Sequence, residues 1–373
     1  MSLPEFFISF DVPGGPWEPT TEMLSLAITA GRQNALDTYG ATTAELVFRR
    51  TSANTADLDL LVPGTIVTIQ DVAQLGSPMF LQITDVANQY AIPSNADLCI
   101  VTMEGGLATA NRAWLNNYSL AKDGFLEQID TVALESGVTM SGVSDSNPET
   151  DGTTITSVAD WIQKLVTTVN GRIDDTSDII IYDRFYYDSW IDIDTSDTLV
   201  FSDGTIALAS GQRRLSYQDI VFTSLAENYY TRAIVDPDNH AAQVSTLVGA
   251  TAPYRVLQLD TFNSSTGQAQ DYADFLLSTY SDPAHKRIAS VTVNGASTNA
   301  QYIFANLALE AIAATVSIIF RGTTYNAVIE GWAVTMTPGD SLYTFYFSGA
   351  DLNNYLILDD PNRGVLDEIR LGY

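Results

Sequence analysis

Residues 324–340 read TYNAVIEGWAVTMTPGD, with ATVSIIFRG before them at 314–322 and LYTFYFSG after them at 342–349. Apolar and polar residues alternate through these segments with the period of half-buried strands. Gly322 and the Pro338-Gly339 pair mark the turns. The layout is a short strand, a tight turn, a long bent strand, a Pro-containing loop and a closing strand ending in Gly. The same layout occurs at 65–105, as TIVTIQDV, a turn, MFLQITDVANQYAIPSNAD and then LCIVTMEG. Ile83 and Ile329 hold matching places in the two long strands. Identity between the stretches is low, so the repeat is one of pattern. It predicts two related small antiparallel β-barrels flanking whatever lies between them.

What lies between them is helical in part. Leu24, Leu26 and Ile28 alternate in an early strand, and the character changes after Gly105-Gly106. Phe125, Leu126, Ile129, Val132 and Ala133 share one helical face, with Asp123 as the expected N-cap and Gly137 just past the end. Val158, Trp161, Ile162, Leu165 and Val169 form a second stripe, opened by Ser157 and Asp160 in capping-box spacing and closed by Asn170-Gly171. Tyr272, Ala273, Leu276, Leu277 and Tyr280 form a third, with Pro283 beyond it. The expected fold is α+β and mainly β. It comprises an N-terminal barrel at 1–105, an α+β middle domain with acidic, aromatic strands at 106–230, a second barrel-like domain with one helix at 231–350, and a C-terminal tail segment at 351–373.

Composition narrows the function. The 373 residues carry 17 Lys+Arg against 45 Asp+Glu, a formal charge of −28, which disfavours both binding of nucleic acid by charge and a polybasic membrane anchor. A hydrophobic fraction of 46% excludes disorder as the explanation of that charge. The single cysteine, Cys99, forms no internal disulfide and reads as a buried core thiol. With His240 and His285 as the only histidines, a His-dependent triad or a three-His zinc site lacks parts. His285 reads as part of a surface turn. The N-terminus has no basic region and carries Glu5 and Asp11, so no signal peptide is expected, and NLALEAIAATVSIIF is too short to span a bilayer. Synthesis in a cytoplasm without export is the expectation.

Between Asp174 and Asp203 lie nine Asp residues and one Arg, interleaved with aromatics. Asp192, Asp194 and Asp197 are the candidate ligands of a calcium loop. The fifth, sixth and twelfth positions hold Ser196, Asp197 and Asp203, where an EF-hand requires Asp/Asn, Gly and Glu. A solvated acidic face is therefore expected, with no metal or cofactor. Tyr186, Tyr187 and Trp190 are candidates for stacking on a glycan, and burial in strands explains them equally. Glu104, Glu127, Glu310 and Glu330 lie near element ends, where a glycosidase would need two carboxyls about 5–9.5 Å apart. Nothing in the sequence links any two, and no catalytic residue is assigned.

Three stretches resemble the tail-tip, or baseplate, hub proteins of long-tailed bacteriophages. The first is LAITAGRQNALDTYGATTAELVFRRT with LVPGTIVTIQDV, in which Gly31-Arg32 follows the first strand. The second is NYYTRAIVD with DYADFLLS and KRIASVTVNG. The third is the ending NNYLILDDPNRGVLDEIRLGY. The resemblance implies a non-enzymatic homotrimer of the virion that closes the tail tube. Its two barrels would give pseudo-six-fold symmetry beneath a hexameric distal tail ring. It further implies contact with the tape-measure C-terminus, tip or fibre proteins carried below, and opening that lets the tape measure and DNA pass. No lipid anchor and no appended hydrolase, collagen-like or lectin-like domain is expected. A distal tail ring protein and a receptor- or sugar-binding tip module are the alternatives. In a hub the charge acquires a use, since acids along the lumen would repel DNA that must slide past.

Overall fold

The computed structural model describes residues 6–19, 22–34, 36–71, 78–90, 97–144, 146–183, 192–193, 197–223, 229–281, 287–295, 312 and 315–349. The N-terminal strands are β1 (Phe6–Val12), β2 (Gly15–Trp17), β3 (Met23–Gly31), β4 (Thr43–Arg49), β5 (Ile66–Asp71), β6 (Met79–Gln89) and β7 (Leu98–Glu104), with a single helical turn α1 (Thr55–Leu58) after β4. Next come α2 (Gly106–Arg112), β8 (Trp114–Leu120), β9 (Asp123–Gly124), α3 (Phe125–Ser136), β10 (Met140–Val143), β11 (Glu149–Thr150), β12 (Thr153–Ser157), α4 (Val158–Val169), β13 (Arg172–Asp174) and β14 (Ile179–Tyr182). Then follow β15 (Asp192–Ile193), β16 (Asp197–Ser202), β17 (Gln212–Leu215) and β18 (Asp219–Thr223). A small unit of β19 (Arg232–Pro237), β20 (Gln243–Thr246), β21 (Val256–Thr261) and α5 (Thr266–Tyr280) precedes β22 (Arg287–Asn294), β23 (Thr315–Phe320), β24 (Thr323–Thr337) and β25 (Asp340–Gly349). The chain is mainly β.

Strands from both ends join one sheet. Along it the order is β15-β16-β23-β24-β3-β4-β7-β6-β5-β1-β2, with β25, β22 and β18 branching from β24 and β17 attached to β16. The branch point is β24. Its residues from Ala327 to Thr337 pair with β25, while its other side pairs first with β23 and then with β3. The sheet's apolar face closes on one core, in which Phe10, Phe48, Trp332, Tyr343 and Phe345 are fully buried. Cys99 is in that core, as expected, and burial pushes its thiol pKa up.

The repeat extends further than the sequence pattern shows. The series β3-β4-β7-β6-β5 and β18-β22-β25-β24-β23 have the same chain order and the same spatial order, and every neighbouring pair in both is antiparallel. Ile83 and Ile329 each precede a β-bulge. Ile83 faces Met103 while Asp85 faces Thr102, and Ile329 faces Phe347 while Gly331 faces Tyr346. The extra residues are Thr84 and Glu330, and the bend expected in each long strand is this bulge. The equivalence stops beyond β5 and β23, since β1 runs antiparallel to β5 and β16 parallel to β23.

A separate core holds the middle helices. All five stripe residues of α4 are buried, and Ser157 Oγ accepts from Asp160 N, as the capping spacing predicts. Gly137 ends α3 in the left-handed conformation, at φ 70°. Asp123 does not cap that helix. Gly124 holds the position, and Asn147 Oδ1 accepts from Leu126 N at 2.9 Å, so a residue distant in sequence supplies the cap. Leu24 likewise departs from expectation. A bulge between Met23 and Ser25 turns Met23 inward in its place. In α5 the five stripe residues pack on β19 and β21. Among the described residues no helix is long and apolar enough to cross a membrane.

Candidate functional site

The bulge in β24 lifts Glu330 off the alternating pattern of its strand and directs it toward two other parts of the chain. One is the end of β3, where Gly31 takes φ +74° and Arg32 N donates to Glu330 O at 3.0 Å. The other is β13, separated by one residue from the left-handed Asn170 that closes α4. Arg32 Nε donates to Glu330 Oε2 at 2.8 Å, and Arg172 Nη2 and Nε donate to Oε1 at 2.7 and 3.1 Å. The Ser348 hydroxyl also donates to Oε1, and the Tyr39 hydroxyl to Oε2 at 3.4 Å. Arg32 lies over the Tyr39 ring at 4.5 Å and donates to Gly171 O at 3.4 Å.

The Glu330 side chain is 0% exposed, and those of Arg32 and Arg172 are 9% and 6% exposed. Burial alone would raise the Glu330 pKa, but the two guanidiniums outweigh it and hold the carboxyl at about 2. One carboxylate ties the N-terminal strands, the helical unit and the C-terminal strands together. Chemically the cluster is a joint. Its acid is fully ionised at neutral pH and every partner is a donor fixed on it.

A second joint lies beside it. Asp175 Oδ2 accepts from Thr42 N at 2.9 Å and from Leu107 N at 3.1 Å, fastening the 174–177 turn to β4 and α2. Asp174 Oδ1 accepts from Thr176 N and Oγ1 at 3.0 and 2.8 Å. Asp174, Asp175 and Asp183 are buried, so this part of the acidic run is not the solvated face expected of it. Burial pushes Asp174 up to about 6, against partial relief from Thr176, and raises Asp175 too.

The two joints respond to acid with opposite signs. Asp174 holds its proton more tightly folded than unfolded, so it adds stability as pH falls from about 6 toward 4. Glu330 releases its proton more readily when folded, so its contribution is lost as pH falls from 4.5 toward about 2. Between pH 8 and pH 5 the wild-type chain should gain about 1 kcal/mol through Asp174. Asp174→Asn should be more stable than wild type at pH 8 and should gain less on acidification. Urea unfolding at the two pH values checks this, and equal gains in both chains would refute it.

Of the predicted site residues, Asp192 and Asp197 lie opposite Thr198 and Ile193 in the β15–β16 pair, but their side chains and all of Asp194 are outside the described residues. Tyr186, Tyr187, Trp190, Glu310, Pro283 and His285 are also outside them. Glu104 pairs with Arg112 at 2.6 Å and Glu127 accepts from Asn147 Nδ2 at 2.9 Å, so with Glu330 in its joint each of the three described candidate acids is engaged by a different partner. His240 Nε2 lies 3.5 Å from Asp151 Oδ2. Sequence reasoning missed Tyr39, Arg172 and Asp175. The one available signal was Arg172 itself, the sole basic residue between Lys164 and Arg184.

Comparison with known protein families and with curated proteins finds no match. Solved structures do match. The 43 kDa tail protein of prophage MuSo2 from Shewanella oneidensis aligns over 92% of this chain and 96% of its own, with a TM-score of 0.59 at 12% identity. A tail protein from Neisseria meningitidis aligns over the same shares with a TM-score of 0.62 at 10% identity. An E. coli component of the type VI secretion system, described as structurally similar to T4 bacteriophage tail proteins, aligns over 91% of this chain and 76% of its own, with a TM-score of 0.51 at 10% identity. The fold is that of bacteriophage tail proteins. It is also shared by a component of a secretion system.

Proposed function

We propose that the chain is a structural component of a phage-type tail, the hub that closes the tail tube at its tip. The fold match carries this reading, because it spans more than nine-tenths of both this chain and two tail proteins. The five-strand repeat supports it. Two barrel-like units per chain let three chains present six similar units to a hexameric ring. The proposed partners are two further copies, the distal tail ring, the tape-measure C-terminus and tip or fibre proteins. DNA passes through only as cargo on ejection, and the proposed location is the virion.

The charge fits a passage. On the face of the sheet away from the core, Thr335, Ala27, Glu45, Thr102 and Asp85 stand in one cross-strand row with no Lys or Arg. Facing a lumen, Glu45 and Asp85 would repel phosphate over about 8 Å at physiological salt. Imaging of the particle tests both statements. Three copies at the tail tip with this face inward are expected. Six copies in one ring would make the chain a distal ring protein, absence from the tail would refute the tail reading, and a lumen lined by Lys and Arg would refute the role given to the acids.

A further inference from the structure

The repeat leaves one pairing unmatched. Within the chain, the second half of β24 receives β3 along its free side, with Gly331 opposite Gly31, Thr335 opposite Ala27 and Met336 opposite Leu26. The equivalent of β24 is β6 and the equivalent of β3 is β18. Counted from the bulges, Thr335 and Met336 correspond to Gln89 and Tyr90. Counted through β4–β7 and β22–β25, Leu26 and Ala27 correspond to Ile220 and Val221.

Among the described residues, the second half of β6 pairs with β7 alone and β18 pairs with β22 alone. Over these described residues both are open sheet edges, the feature that templates strand addition. Each also exposes a large apolar side chain. Tyr90 is 73% exposed, whereas its counterpart Met336 in the satisfied seam is fully buried, and Val221, the counterpart of Ala27 on the outer face, is 44% exposed.

We propose that β18 of one copy pairs antiparallel with the second half of β6 of a neighbouring copy, in the register that β3 and β24 use inside the chain. Gln89 then lies opposite the neighbour's Val221 and Tyr90 opposite its Ile220. The occupant is a second copy because the chain itself displays the complementary strand and the pairing geometry. The contact is head-to-tail. Each copy uses both edges once, so a closed ring leaves neither edge open. This rests on the hub reading and deepens it by naming the strands that close the ring.

The test is a disulfide placed across the seam. Directly opposed residues of antiparallel strands stand about 4.5–5.5 Å apart at Cα, within the range a disulfide spans. The full chain carrying Gln89→Cys and Val221→Cys should oxidise to covalently linked copies, up to the size of the native assembly, while each single variant stays unlinked. Ala27→Cys with Thr335→Cys is the control, consuming its thiols within one chain. An assembly by native mass whose control oxidises, but whose Gln89/Val221 pair does not link copies, would overturn the proposed seam and leave the hub reading standing. A chain that stays monomeric at every concentration, with no linked copies, would overturn the seam too. The hub reading is then decided separately by the chain's place in the particle.

Discussion

Glu330→Ala is expected to cost about 3–5 kcal/mol of stability, because it leaves two buried guanidiniums without their counter-charge. Arg32 and Arg172 are both less than a tenth exposed, so neither can recover in water what it loses. Glu330→Gln keeps the shape and one acceptor oxygen but removes the charge, and it should cost nearly as much. Replacing all three charged residues by apolar ones of similar size should recover most of the loss, since a buried ion pair rarely outperforms good apolar packing. Urea unfolding measures each. A cost below about 1 kcal/mol for Glu330→Ala would mean that the joint does not hold the three parts of the chain together.

Gly31→Ala is expected to be strongly disruptive. A Cβ there would lie 2.4 Å from Glu330 O and 2.6 Å from Gly331 Cα, and both are backbone atoms of the paired strand. Gly137 provides the control. Its φ is +70° against +74°, and a Cβ there meets nothing within 4 Å. Gly137→Ala should therefore show only the left-handed backbone cost of about 1–2 kcal/mol. Gly31→Ala should add the parting of the β3–β24 seam, for a total of about 3 kcal/mol or more, with loss of amide-exchange protection along residues 26–30. Equal costs at the two glycines would show that conformation alone, and not the close approach of β24, requires glycine at Gly31.

Legibility in the sequence tracked the range of the interaction. The stripes of α4 and α5 were readable because each helix buries one face and the spacing repeats every turn. The two meanders were readable because Gly and Pro mark their turns and alternation marks their strands. Ile83 and Ile329 matched because each sits in the core just before a bulge. The bulges themselves were invisible, since Thr84 and Glu330 share no chemistry. The repeat's outer strands were hidden because the β19–β21 and α5 unit separates β18 from β22. Charge patterning misled at Asp174 and Asp175, where local acidity suggests solvent while both are buried, Asp174 satisfied by Thr176 two residues on and Asp175 by Thr42 and Leu107 from elsewhere in the chain. The joint pairs Arg32 with a residue 298 positions away, and no local pattern reports such a contact.

That separation governs how the chain must fold as it is made. At about 5–20 residues per second, some 15–60 s pass between synthesis of β3 and synthesis of its partner in β24. Throughout that interval the N-terminal strands present an unpaired edge at β3, and Arg32 awaits its carboxylate. A nascent chain in this state is open to strand capture by its neighbours on the same message. The seam between the two repeats therefore cannot form until β24 is made, and mutations that weaken it should first appear as aggregation during synthesis, before any loss of stability in the finished protein.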